Sequence, residues 1–154
     1  MQLSRNLSLR EVTKSNTAIK YGIDNNPSEI HLRSLKEIAV KVFQPIRDHF
    51  GVPIHVSSGY RSPELNSRIG GSRTSSHCLG EALDLDADLT KGLTNRELFD
   101  YIRKNLEFDQ LIYEFGNEFE PDWIHVSYDR SGNRNQILVA YRTDQGTRYK
   151  PYGK

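Results

Sequence analysis

Apolar residues in the first third of the chain recur at helical spacing. Leu35, Ile38, Ala39, Val42, Ile46 and Phe50 fall on one face of a long amphipathic helix. Asn26, Pro27, Ser28 and Glu29 are its start signal, with Pro27 at the first helical position. Pro45 is expected to kink or divide it and Gly51 to end it, because proline lacks the N–H that continues a helix and glycine accepts left-handed backbone. Nearer the N-terminus, Ser8 and Glu11 form a capping box, so a short helix is predicted there.

Beyond Pro53 the pattern shifts towards two-residue alternation. Residues 54–57 read as a strand, and Ser62 to Leu65 start a short helix that stops at Gly70 and Gly71. Residues 81–87 alternate and read as a strand. Thr94 and Glu97 form a further capping box, opening a helix through Phe99, Ile102 and Leu106. Three strand-like runs follow, over 108–115, 123–128 and 136–141, with Ser131, Gly132 and Asn133 as the turn before the last. Helices come first and most strands are joined by hairpin-like links. The expected fold is a small single α+β domain over residues 1–154, with a central, mostly antiparallel sheet flanked by helices.

Composition narrows the function more than the fold. At 36% apolar and 27% charged residues, the chain of 154 residues has the make-up of a globular domain with its own core. The balance of 21 Lys plus Arg against 20 Asp plus Glu leaves +1, which argues against a nucleic-acid partner, since that needs a concentrated basic face. Arg142, Arg148, Lys150 and Lys154 make the end of the chain basic, and it reads as a solvated terminus. The single cysteine, Cys78, excludes an internal disulfide and any zinc site built on several thiolates. The start of the chain has no apolar run of signal-peptide length, and no stretch is long enough for membrane insertion. A soluble monomer is expected.

The candidate chemistry lies in two places. His77 and Asp84, a nitrogen and an oxygen donor, have six residues and a turn between them, and Gly80 permits the turn. Ala82, Asp84 and Asp86 share one strand face, while Leu83 and Leu85 take the other. Downstream, His125 shares a face with Trp123 and Ser127, with Ile124 and Val126 behind. If the two strands are neighbours, His77, Asp84 and His125 converge as a three-ligand set that leaves zinc an open position for water. Hydrolysis also needs a carboxylate near that water. Asp122 is the candidate, though positions 122 and 125 point to opposite faces of a regular strand, so Asp122 must lie in a bent segment after Pro121.

Ser75, His77, Gly80, Ala82 and Asp84, followed by Asp122-Trp123-Ile124-His125, resemble the zinc D-alanyl-D-alanine peptidase family. That family, peptidase M15-like with the hedgehog/DD-peptidase fold, includes D-Ala-D-Ala dipeptidases and bacteriophage L-alanyl-D-glutamate endolysins. The stretch from Val56 to Ser62, with Arg61, is similar to the family's substrate-binding segment. The resemblance implies a Zn2+ ion on His77, Asp84 and His125, with Asp122 as general base. It implies that Arg61 holds a substrate carboxylate or the developing oxyanion, and that Ser75 hydrogen-bonds the peptide or braces the metal loop. It implies an enzyme that hydrolyses amide bonds in peptidoglycan stem peptides, as a D-Ala-D-Ala carboxypeptidase or an L-Ala-D-Glu endopeptidase does. The Asp at position 122, where many members carry Glu, is more like the endolysin branch. Phage-type release or incorporation into a virion would bring such a protein to the cell wall. The alternative is a non-catalytic zinc module that binds cell-wall peptide or scaffolds a phage particle, although such a module needs no base.

Other candidates carry less. Cys78 reads as a small buried hydrophobe. His31, His49 and His55 have no partner at ligand spacing. Glu114 is an acid in an apolar strand and a possible supporting residue of the site. Trp123 floors the cleft or joins the core.

Overall fold

The computed structural model describes residues 1–153. Its longest helical rod follows from the apolar stripe. Ser28 caps the first segment, α3 (Glu29–Ile38), through its hydroxyl and the His31 N–H. Pro27 therefore stands just outside the helix and not at its first position. A π-helical stretch, Ala39–Phe43, follows and leads into α4 (Gln44–Phe50). The wide turn is where Pro45 divides the helix, since proline cannot donate to the carbonyl four residues back. Gly51 ends α4 in left-handed backbone at φ 67°. Leu35, Ile38, Ala39, Val42 and Ile46 are fully buried, and Phe43, outside the predicted stripe, joins them. Phe50 is only partly buried.

Both predicted capping boxes form. The first opens α1 (Leu9–Thr13) and the second α6 (Asn95–Asn105). The N-terminus adds two short paired strands, β1 (Gln2–Ser4) and β2 (Leu7–Ser8), and α2 (Asn16–Tyr21). None of these three was predicted. Their runs are too short to show a period.

The main sheet has six strands: β3 (His55–Ser58), β4 (Ala82–Asp86), β5 (Gln110–Glu114), β6 (Trp123–Ser127), β7 (Gln136–Thr143) and β8 (Gly146–Pro151). The spatial order is β3-β4-β6-β5-β7-β8. Every pairing is antiparallel except β5 with β7. The link through Ser131 is thus not a hairpin: it carries the chain past β5 to the far side. Asn135, at φ 51°, anchors the end of that link, its N–H donating to the Phe108 carbonyl while its side chain accepts from the Phe108 N–H.

The basic tail is also more ordered than its charge suggests. Arg142 and Thr143 complete β7, and Gly146–Pro151 form β8 against it. Tyr152 then packs on the rings of Phe99 and Tyr113. All of β8 is exposed, so its charges are solvated as predicted although its backbone is paired.

Alternation divides the sheet into two faces. Leu83, Leu85, Leu111, Ile124 and Val126 are completely buried beneath the helices. Asp84, His125 and Glu114 occupy the alternate positions and leave the core. Helix α5 (Pro63–Arg68) and a 3₁₀ turn (Ser76–Leu79) border that second face. No helix among the described residues is long and apolar enough to cross a membrane.

Candidate metal centre

Strands β4 and β6 lie side by side with Asp84 directly opposite His125. The Asp84 carboxylate oxygen is 3.1 Å from His125 Nδ1 and 3.2 Å from His77 Nε2. One donor atom from each of the three residues falls within 4.8 Å of the other two. The structure thus brings together the three donors predicted from two distant stretches of chain.

His77 is held from three directions. Ser75 caps the 3₁₀ turn, its hydroxyl accepting from the His77 N–H at 3.2 Å. The Arg61 N–H donates to the His77 carbonyl at 3.2 Å. The imidazole Nδ1–H donates to the Gly59 carbonyl at 2.7 Å. That last bond fixes the tautomer, so Nε2 is left bare and faces Asp84. The stretch from Val56 to Ser62 therefore braces the imidazole as well as presenting Arg61.

Gly80 closes the turn in left-handed backbone at φ 71°, and a Cβ there would lie 2.4 Å from the His31 carbonyl oxygen. Both the conformation and the close approach exclude a side chain. Gly80→Ala is expected to cost about 2 kcal/mol or more, from left-handed strain plus displacement of backbone. In a domain of this size that lowers Tm by about 4–8 °C, which thermal unfolding will show.

Burial opposes ionisation of Asp84, but the His77 and His125 imidazoles outweigh it and hold its carboxyl below the usual range. Two imidazoles and a carboxylate are a donor set that suits zinc and leaves a coordination position open. The bond from the His77 imidazole to the Gly59 carbonyl is of the kind that orients such ligands. The residues present fit the ion.

A carboxylate does stand beside the cluster, and it is Glu114. In β5, Glu114 is directly opposite Trp123 and Ile112 opposite His125. Glu114 lines the same cleft as the three donors and is only 8% exposed. No hydrogen bond reaches its carboxylate among the described residues. Burial pushes its pKa up to about 7, against the opposing pull of His125.

This shift has a consequence for stability. In metal-free protein the folded state holds the Glu114 proton more tightly than the unfolded chain does. The resulting stabilisation is complete below the ordinary value of 4.5 and is lost as pH rises through about 7. Its size is at most about 3 kcal/mol. Metal-free Glu114→Gln should therefore melt higher than wild type at pH 8 and close to it at pH 4, as calorimetry at the two pH values will show.

Asp122 is not brought to the cluster. It is exposed and lines a cavity with Arg96, Tyr113 and Tyr152 that none of the three donors lines. The buried Asn95 amide holds that segment by donating to the Asp122 carbonyl at 2.9 Å and the Pro121 carbonyl at 3.3 Å. Strand parity runs the same way, since in a regular strand position 122 points away from the face of His125.

Arg61 lines the metal-side cleft and donates to the Asn66 side chain at 3.0 Å. It has no carboxylate within ion-pair distance among the described residues, so its charge is available to a ligand. Ser75 also lines the cleft, but its hydroxyl is engaged in bracing the metal loop. Trp123 and Phe115 form an aromatic floor, with ring centres 5.3 Å apart. Cys78 is partly buried, with its thiol pushed up by burial, and is not among the clustered donors. His31, His49 and His55 also lie outside the cluster.

An α+β domain whose sheet presents three convergent donors, with a buried carboxyl in the same cleft, has the build of a metallohydrolase. Residues 5–127 match the profile of the family Peptidase M15, and the chain belongs to that family. The match contains all three donors and Glu114, and it ends before β7. Comparison with curated proteins returns no match.

Proposed function

We propose that this chain is a zinc-dependent peptidase that hydrolyses an amide bond in peptidoglycan stem peptides, with Glu114 as its general base. The observation that carries this reading is the shared cleft: the His77–Asp84–His125 cluster, Glu114 and the uncompensated Arg61 all face it. A zinc ion on the three donors would lower the pKa of a water to about 7 and polarise the substrate carbonyl.

The chain's own groups supply the remaining chemistry. Glu114 accepts the proton of the attacking water and delivers it to the departing nitrogen, a role suited to a carboxyl that titrates near neutrality. Arg61 steadies negative charge on the oxygen of the tetrahedral intermediate or holds a free carboxylate of the substrate. Stem peptides carry such carboxylates. Trp123 and Phe115 give the peptide an aromatic contact.

Mass spectrometry of purified muropeptides after incubation with zinc-loaded protein tests the reading. One new amine and one new carboxylate per cut are expected, and a chelator should abolish both. Intact muropeptide that nonetheless binds the protein would point instead to a non-catalytic module.

A further inference from the structure

The last strand reaches the cleft through a gap that one small residue leaves open. Glu114 pairs with Ala140 of β7, and Ala140 pairs with Tyr149 of β8. With Trp123 opposite Glu114 in β6, a row runs across the sheet: Trp123, Glu114, Ala140, Tyr149. Paired residues share a face, so all four lie on the metal side. The strands of Glu114 and Tyr149 are two spacings apart, about 10 Å. Any large side chain at position 140 would fill that interval, whereas alanine puts only a methyl group there.

Tyr149 lines the cleft that holds the three donors and Glu114, yet it remains 54% exposed. Glu114 and Asp84 both act electrostatically on its phenol, adding to the upward push of burial. Its hydroxyl has no hydrogen-bond partner among the described residues. The contrast with the two tyrosines of the opposite face is direct. Tyr113 donates to the Asn117 carbonyl, and the Tyr152 hydroxyl accepts from Arg96. Those hydroxyls serve the fold, and Tyr149 has one to spare. Arg61 follows β3 at one end of the sheet and Tyr149 lies in β8 at the other, so the two flank the metal strands from opposite ends.

We propose that Tyr149 is a substrate-binding residue whose hydroxyl donates a hydrogen bond to the backbone of a peptide lying over Glu114. The idea rests on the peptidase reading, but not on which peptide is cut. It also lies outside the family match, which stops at residue 127. The β7–β8 hairpin thus adds a wall to the cleft of the three donors.

The test is Tyr149→Phe, which keeps the ring and removes the donor. The probe is a phosphinic analogue of acetyl-Ala-Ala-Ala, titrated calorimetrically into zinc-loaded protein. The variant should bind it about tenfold more weakly, the weight of one ordinary hydrogen bond to a ligand. Metal content and Tm should not move. On any cleaved muropeptide, KM should rise about tenfold with kcat held within twofold, the signature of lost uniform binding. Probe affinity within twofold of wild type overturns the proposal. If the probe shows the tenfold loss but muropeptides stay intact, the stem-peptide reading fails and Tyr149 keeps its role. If muropeptides are cut and the probe does not distinguish the variant, Tyr149 fails and the stem-peptide reading stands.

Discussion

Glu114→Gln is expected to lose about three to four orders of magnitude in kcat while still binding one zinc ion per chain. The amide has nearly the shape of the acid but cannot accept a proton, and general-base catalysis contributes up to about 10⁴-fold. Glu114 lies in β5, which pairs with the His125 strand, and it lines the cleft that holds the three donors without being one of them. Asp122→Asn should stay within a few-fold of wild type, because that carboxylate lines a cavity apart from the cleft of the three donors. Rates on a defined muropeptide, with metal content by mass spectrometry, compare the two directly. The reverse ranking would restore Asp122 as the base and remove Glu114 from the mechanism.

Asp84→Ala should abolish both metal binding and activity. Asp84 is the bridge between the imidazoles, with one oxygen close to both. Without it His77 and His125 are two neutral donors with no anionic partner, and three protein ligands become two. Chelation of the wild type should reproduce the loss of activity, and added zinc should restore it there but not in the variant. Metal bound at 1,000 times its Kd stabilises a fold by about 4 kcal/mol. Wild type should therefore melt markedly lower after chelation, while Asp84→Ala should show no metal-dependent shift. A variant that still binds zinc tightly and turns over would remove Asp84 from the ligand set.

The two carboxylates show how far the chain could be read before folding. His77 and Asp84 were legible because the turn at Gly80 and the alternation of Leu83 and Leu85 are local. His125 was legible as a strand residue facing away from Ile124 and Val126. Its meeting with Asp84 depended on β4 and β6 being neighbours, which the spacing could only suppose. Glu114 had its own local signal: Leu111 and Tyr113 claim the core face, so Gln110, Ile112 and Glu114 take the other. What the alternation could not say is that β5 lies beside β6, which turns an odd acid in an apolar strand into a wall of the cleft. The motif drew attention to Asp122, and strand parity, already visible as a difficulty, pointed away from it.

The same division holds for the rest of the molecule. By itself the sequence determined most of the helices and their caps, most of the strands, the His77–Asp84 turn and the cation in Val56–Ser62, since each depends on residues a few positions apart. Strand order, the parallel placement of β7, the pairing of the exposed tail and the presence of Glu114 in the cleft of the three donors were decided only by the tertiary structure. These depend on which edges meet, and backbone hydrogen bonds between strands are nearly indifferent to the side chains that the sequence displays.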